Sequence, residues 1–186
     1  MEFVLASKSP RRKELLQFII PRFETVEAHI NERDVNLTAP DELCFELAKN
    51  KALNVFSFKP DSCVIGSDTM VSVDNKLLGK PKDKEEAYNM LSSLSGRSHS
   101  VFTGVFIAAP NINTGFVCET IVHFIDLSKE MILEYINTDE PYDKAGGYSI
   151  QGGASKFCDW MNGDYYNVMG LPVSALYVKL RELGLI

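Results

Sequence analysis

LASKSPRRKELL, residues 5–16, takes the chain out of a short strand, FVLA, into a helix whose opening turn carries Arg11, Arg12 and Lys13. Ser9 supplies a hydroxyl that accepts a first-turn N–H, and Pro10 suits the first helical position, where the missing N–H costs nothing. Leu15, Leu16 and Ile19 then recur at helical spacing and define a core-facing side. Strand, tight loop and helix N-terminus are the opening of an α/β unit. A helix N-terminus carries partial positive charge, so each nearby cation costs about 0.3–1 kcal/mol. Two readings follow. A phosphate gripped by backbone N–H groups and arginine forks turns the repulsion into a binding site; alternatively, the segment is a solvated basic turn screened by salt.

The 186 residues suit one domain, 1–186, with a sizeable core. A formal net charge of −6 argues against a general binder of nucleic acid or of anionic membranes, which reward an excess of Lys and Arg over a whole face. Cys44, Cys63, Cys118 and Cys158 stand far apart, as do His29, His99 and His123, so a zinc site or disulfide framework is not expected. Reduced, mostly buried thiols are. No signal-peptide pattern is read at the N-terminus, and no apolar run reaches the ~20 residues that span a bilayer, which predicts a cytoplasmic protein with no membrane partner.

Further along, RFETVEAHI reads as a strand, NERDVNLTAPDEL as a polar loop, and a helix is expected from Pro40 to Phe56. DSCVIGSDTMVSVDNKLLGKP reads as two strands closed by a turn at Asp74-Asn75. DKEEAYNMLSSLSG is a helix capped by Asp83, with Glu86 at the capping-box position, Ala87, Met90, Leu91 and Leu94 on one face, and Gly96 as its stop. HSVFTGVFIAA and GFVCETIVHFI are apolar strands joined through PNINTG. Ser128 caps LSKEMILEYI, SKFCDWMNGDYYNVMG reads as a hairpin turning at Asn162-Gly163, and a last helix starts near Pro172. Alternating helices and strands predict an α/β fold with a mixed central sheet flanked by helices.

Several polar residues sit in unexpected company. On the wheel of the second helix, Lys51 falls inside the arc of Leu43, Cys44, Leu47, Ala48 and Val55, where an unpaired ammonium is costly; it either snorkels outward or meets an anion. Asp68 interrupts a β-branched run at an expected strand end, as a catalytic or metal-binding acid or as a turn former. Lys80 between Gly79 and Pro81, and Lys144 before Ala145-Gly146-Gly147, are held by backbone geometry or belong to ordinary turns. Gln151 lies beside Gly152-Gly153, where backbone can approach a ligand. Taken together, Arg11, Arg12, Lys51, Lys80 and Lys144 suit a polyphosphate. Glu32 and Asp68 would repel it unless a divalent metal stood between them, and Mg²⁺ commonly takes one or two carboxylates plus phosphate oxygens.

The ordered blocks LASKSPRRKELL, NERD, ELAKNKA, GSDTMV, GKPKDKEEAYNMLSSLSGRSHSVFTGV, EPYDKAGGYSIQGGASKF and GDYYNVMGLPVSAL resemble those of the Maf family over essentially the whole chain. The resemblance implies two lobes with a deep cleft, similar to inosine triphosphate pyrophosphatase, in a protein that is commonly a homodimer. It implies hydrolysis between the α and β phosphates of a nucleoside triphosphate with a divalent metal cation, Mg²⁺ or Mn²⁺. It makes Asp68 the proton acceptor, with Ser7, Arg12, Glu32, Lys51, Lys80 and Lys144 as further polar positions of the site. Arg11, Thr69 and Gln151 agree with the subfamily resembling dTTP/UTP pyrophosphatases; the 7-methyl-GTP group carries Trp, Gln and Glu there. A neutral amide suits uracil or thymine edges, whereas a carboxylate and an indole suit methylated guanine. Ser67 stands where alanine is common, and Asn31 where an aspartate is frequent.

The implied mechanism has Asp68 orient or deprotonate a water aimed at the α-phosphorus, while metal held by Glu32 and Asp68 screens the triphosphate and the cations stabilise the leaving pyrophosphate. Asp68 stands open as base, as metal ligand, or as both through a coordinated water. A nucleotide-binding regulator of cell division without important turnover is the alternative function. RNA binding through SPRRK is a third, opposed by the acidic balance.

Overall fold

The computed structural model describes residues 1–186, the side chain of Arg33 excepted. Seven strands, β1 (Phe3–Leu5), β2 (Glu24–Thr25), β3 (Cys63–Val73), β4 (Lys76–Leu78), β5 (Ser98–Ala109), β6 (Ile112–Phe124) and β7 (Cys158–Asn162), form one sheet. Their order is β2-β1-β3-β5-β6-β7, with β4 paired to β3. β1 runs parallel to β2 and β3, whereas β3–β4 and β6–β7 are antiparallel, so the sheet is mixed. Helices α1 (Pro10–Gln17), α2 (Pro40–Phe56), α3 (Lys84–Leu94), α4 (Lys129–Ile136), α5 (Tyr165–Met169) and α6 (Val173–Glu182) flank it. The expected mixed α/β class is what forms.

The chain divides into two compact units, the first comprising Met1–Asp68, Thr103–Cys118 and Gly170–Ile186, the second Thr69–Phe102 and Glu119–Met169. In the first unit, Val4, Val64, Phe106 and Ala108 from the strands, with Ala6 just after β1, pack against Ala48, Ala52 and Val55 of α2. This packing depends on two bare Cα positions. A Cβ on Gly66 of β3 would lie 2.2 Å from the Ala48 carbonyl oxygen and 2.8 Å from the Ala52 nitrogen; one on Gly104 of β5 would lie 2.5 Å from the Cys44 oxygen. Backbone thus meets backbone, and α2 settles directly on β3 and β5.

The second unit is built around Leu91, Leu94, Phe124, Phe157 and Tyr148. Helix α3 begins where its sequence signals: the Asp83 carboxylate accepts the Glu86 N–H at 2.8 Å, and the Glu86 carboxylate reaches back to the N–H of Lys82. Ala87, Met90, Leu91 and Leu94 are buried, and Gly96 follows at φ 63°. Asp74 (φ 51°) and Asn75 (φ 59°) close the β3–β4 hairpin with both central residues left-handed, as a two-residue loop prefers. His99 is buried with its Nε2 2.7 Å from the Tyr148 hydroxyl, and burial pushes its pKa down to about 4, so it stays neutral.

Four expectations are corrected. RFETVEAHI contributes only the two-residue β2, and α1 stops at Gln17, so that Ile20 rather than Ile19 is the buried residue after Leu16. The β5–β6 connection is confined to Pro110-Asn111, the rest of PNINTG being strand. The Asn162-Gly163 turn leads into α5 and not into a return strand. There Asp164 accepts the Tyr166 N–H at 2.8 Å, and buried Asn167 donates to the Val101 carbonyl at 3.0 Å, which favours a helical turn.

Gly66→Ala is expected to lower the unfolding free energy by more than about 2 kcal/mol in urea titrations, because neither backbone partner can withdraw as a side chain would. Gly79→Ala, whose Cβ would meet nothing within 4 Å, is expected to change it by less than about 0.5 kcal/mol.

Candidate active site

The loop between β1 and α1 is self-braced. Ser7 Oγ accepts the Ser9 N–H at 3.1 Å, and Ser9 Oγ accepts the Arg12 N–H at 3.4 Å, completing the expected cap. Ser7 thus braces this turn through its oxygen, a bond that does not use its O–H donor. Arg12 is aimed by a long-range bond: its Nε donates to the Gly170 carbonyl at 2.9 Å, and the same oxygen accepts from buried Ser67 Oγ at 3.0 Å. Burial pulls the Arg12 pKa below its ordinary value, opposed by the field of Asp68, while neighbouring Arg11 acts with burial. The basic turn thus places one guanidinium inward, within the field of two acids.

Those acids meet at Lys51. Its Nζ donates to Asp68 Oδ1 at 2.5 Å and lies 2.7 Å from Glu32 Oε1. The Lys51 and Asp68 side chains are only 15% and 11% exposed, whereas Glu32 is 57% exposed. Lys51 does not snorkel; it takes the other course open to it and meets its anions in place. Asp68 is also not at a strand end but inside the eleven-residue β3, two residues after Gly66, whose contact with α2 brings the Lys51 turn alongside. A buried ammonium next to a buried carboxylate is a high-stakes contact, while its second, solvated partner contributes at most about 1 kcal/mol. Asp68 is therefore the fixed member of the trio and Glu32 the exchangeable one.

Both carboxylates reach one nitrogen, so their oxygens can share one cation. Among the described residues no group of three or more His, Cys, Asp or Glu side chains converges to hold a metal. A two-carboxylate set is what Mg²⁺ uses when phosphate oxygens complete its shell, so these residues fit the expected divalent ion. Cys44, on the same helix as Lys51, is held inert: burial pushes its thiol up to about 12, with the charge of Asp68 adding to the shift.

Thr69, Lys80, Lys144 and Gln151 belong to the second unit. Thr69 follows Asp68 directly along β3 and is half-buried. The Lys80 and Lys144 segments are joined, since the Gly146 N–H donates to the Gly79 carbonyl at 3.0 Å. Lys80 is exposed, while Lys144 is largely covered and ion-paired with Asp143. Gln151 is exposed at the crown of a turn closed by a Gly152 N–H bond to the Ser149 carbonyl. The structure thus assembles Arg12, Glu32, Lys51 and Asp68 in the first unit and hooks the two lysine loops together in the second. Sequence reasoning missed Gly170, whose carbonyl orients Arg12, and Glu140, an acid before Pro141 with no local signal to mark it.

A sequence profile described as Maf-like protein matches residues 2–183. The dTTP/UTP pyrophosphatase of Geobacillus sp. (strain WCH70) is 46% identical over 183 residues, 98% of each chain. The protein of the same name from Thermococcus onnurineus is 48% identical over 181 residues, 97% of each. Among solved structures, a HAM1 protein from Coxiella burnetii superposes with a TM-score of 0.56 at 15% identity, covering 98% of this chain and 99% of that one. The Staphylococcus aureus Ham1 protein does so with a TM-score of 0.52 at 13% identity, covering 98% and 100%. These two likenesses establish the fold. No helix is long and apolar enough to cross a membrane among the described residues.

In urea titrations, Lys51→Met is expected to cost about 2–4 kcal/mol by stranding a buried carboxylate, and Glu32→Gln less than about 1 kcal/mol. Combining Lys51→Met with Asp68→Asn should recover part of the loss, with a coupling above about 1 kcal/mol.

Proposed function

The chain belongs to the Maf-like protein family, and from that premise we propose that it is a nucleoside triphosphate pyrophosphatase, hydrolysing dTTP and UTP to the monophosphate and pyrophosphate. The observation that carries the reading is Asp68, fixed by Lys51 at 2.5 Å within the field of inward-held Arg12. The names borne by relatives at 46–48% identity over nearly the whole chain support it.

In this mechanism the Lys51 ammonium holds the Asp68 carboxylate in one orientation, leaving its acceptor positions to direct a water at the α-phosphorus. Arg12 offers a rigid fork to phosphate oxygens, and its charge opposes the negative charge that grows on the departing pyrophosphate. Lys51, Lys80 and Lys144 supply further positive charge for the triphosphate, and Ser7 keeps the loop before α1 in shape. Glu32 and Asp68 would hold Mg²⁺ or Mn²⁺, which when bound neutralises phosphate charge and orients the triphosphate. The Gln151 amide supplies a neutral donor and acceptor that pair with uracil or thymine edges, alongside the Thr69 hydroxyl and the donor-only Arg11 guanidinium. A cytoplasmic homodimer, acting on small nucleotides and on no nucleic acid, completes the reading.

Purified protein is expected to release pyrophosphate from UTP and dTTP in preference to 7-methyl-GTP, with activity lost to EDTA and restored by Mg²⁺ or Mn²⁺. Asp68→Asn should lower turnover by at least about 10²-fold. Full turnover in that variant would remove Asp68 from the roles of base and ligand alike.

A further inference from the structure

The turn that carries Gln151 is clamped at both ends by one pair of side chains. At its start, the Ser149 N–H donates to the Tyr135 hydroxyl at 3.1 Å. At its end, the Gly153 N–H donates to both oxygens of the Glu140 carboxylate, at 2.9 and 3.2 Å. The two anchors meet at Gly153, where a Cβ would lie 3.1 Å from Glu140 Oε2 and 3.3 Å from the Tyr135 ring, and burial, with the nearby Glu140 carboxylate, raises the pKa of the Tyr135 hydroxyl. Tyr135 is 3% exposed and packs edge-on against Phe157 with ring centroids 5.4 Å apart, so the clamp is fastened to the core. Gly152 presses on the acid: a Cβ there would fall 1.6 Å from Glu140 Oε1. The backbone carbonyl of Glu140 also accepts from Lys144 Nζ, at the long limit of 3.5 Å.

An exposed glutamine on a free loop would sample many orientations, and its amide would select poorly between bases. Here residues on either side of Gln151 are fixed by charge-assisted or buried hydrogen bonds, while the Gln151 side chain makes none among the described residues. The arrangement spends two side chains on holding the backbone beneath an amide that is left available for a ligand.

We propose that Glu140, with Tyr135 as its partner, is a positioning residue for nucleobase selection, presetting the turn that presents Gln151 to a pyrimidine edge. The proposal rests on the functional reading above. It assigns Glu140 no contact with the substrate. Its effect passes through the Ser149–Gly153 backbone, so it depends on Gln151 being present and on an acceptor at position 140 rather than on negative charge.

The test measures pyrophosphate release from UTP, dTTP and CTP by the full chain carrying Glu140→Ala, Glu140→Gln, Gln151→Ala, and Glu140→Ala with Gln151→Ala. Amide exchange at Ser149 and Gly153 is followed in parallel. Glu140→Ala should raise KM for UTP and dTTP about tenfold, reduce kcat less, and cut the preference over CTP by a similar factor. Protection at Ser149 and Gly153 should fall. Glu140→Gln, which keeps the acceptor, should retain most of the preference. In the Gln151→Ala background, Glu140→Ala should bring no further loss of preference. Equal losses in both backgrounds, a Gln variant as damaged as the Ala variant, or an unchanged preference in an active Glu140→Ala protein overturns the proposal alone. A wild-type protein that releases pyrophosphate from none of these nucleotides overturns the functional reading and the proposal with it.

Discussion

A lysine ammonium wedged between two carboxylates governs the first unit of this protein. Lys51 lies on the buried face of α2, where an unpaired cation would cost several kcal/mol, so the helix can pack only if anions come to it. Asp68 does so from within β3 at 2.5 Å, and Glu32 from a 3₁₀ turn at Glu32–Asp34 at 2.7 Å. The same constraint accounts for Gly66, since β3 carries Asp68 to Lys51 only by passing close against the α2 backbone. Packing and chemistry are thus one arrangement, and any change in the spacing of α2 on β3 is a change in the site.

The three charges do not contribute alike. The covered pair, Lys51 and Asp68, holds its geometry because each would be stranded without the other. Glu32 is more than half exposed and screened, so its contact is weak and readily exchanged. A polyphosphate arriving with its own cation would compete with that outer contact first, leaving Asp68 fixed while the electrostatics of the trio rearrange. Arg12 adds a guanidinium whose Nε is already committed to the Gly170 carbonyl, which fixes its direction before any ligand binds.

Much of this was legible in the sequence where local chemistry decides the outcome. The start of α2 at Pro40, the Asp83 and Ser128 caps, the Asp74-Asn75 turn and the buried face of α3 each follow from side chains acting within a few residues of their own backbone. Lys51 was legible as an anomaly, because an ammonium inside an apolar arc demands a partner. What the sequence left hidden depends on long-range contacts. Asp68 reads as a strand end because aspartate is a poor strand former, yet a lysine from another element satisfies it inside β3. Asn162-Gly163 reads as a hairpin turn, yet Thr120, Val101 and Asn167 hold the following residues in a helical turn. Glu140 carries no local signal at all; its importance appears only when the Gly153 N–H is found on both oxygens of its carboxylate.

The central claim is that Asp68, held by Lys51, directs water at the α-phosphorus of a nucleoside triphosphate. Hydrolysis of UTP by the purified protein in ¹⁸O-labelled water, with the products separated and read by mass spectrometry or ³¹P NMR, tests it most directly. The account predicts UMP carrying the label and pyrophosphate without it. Label in the pyrophosphate, or orthophosphate as the first product, would contradict it.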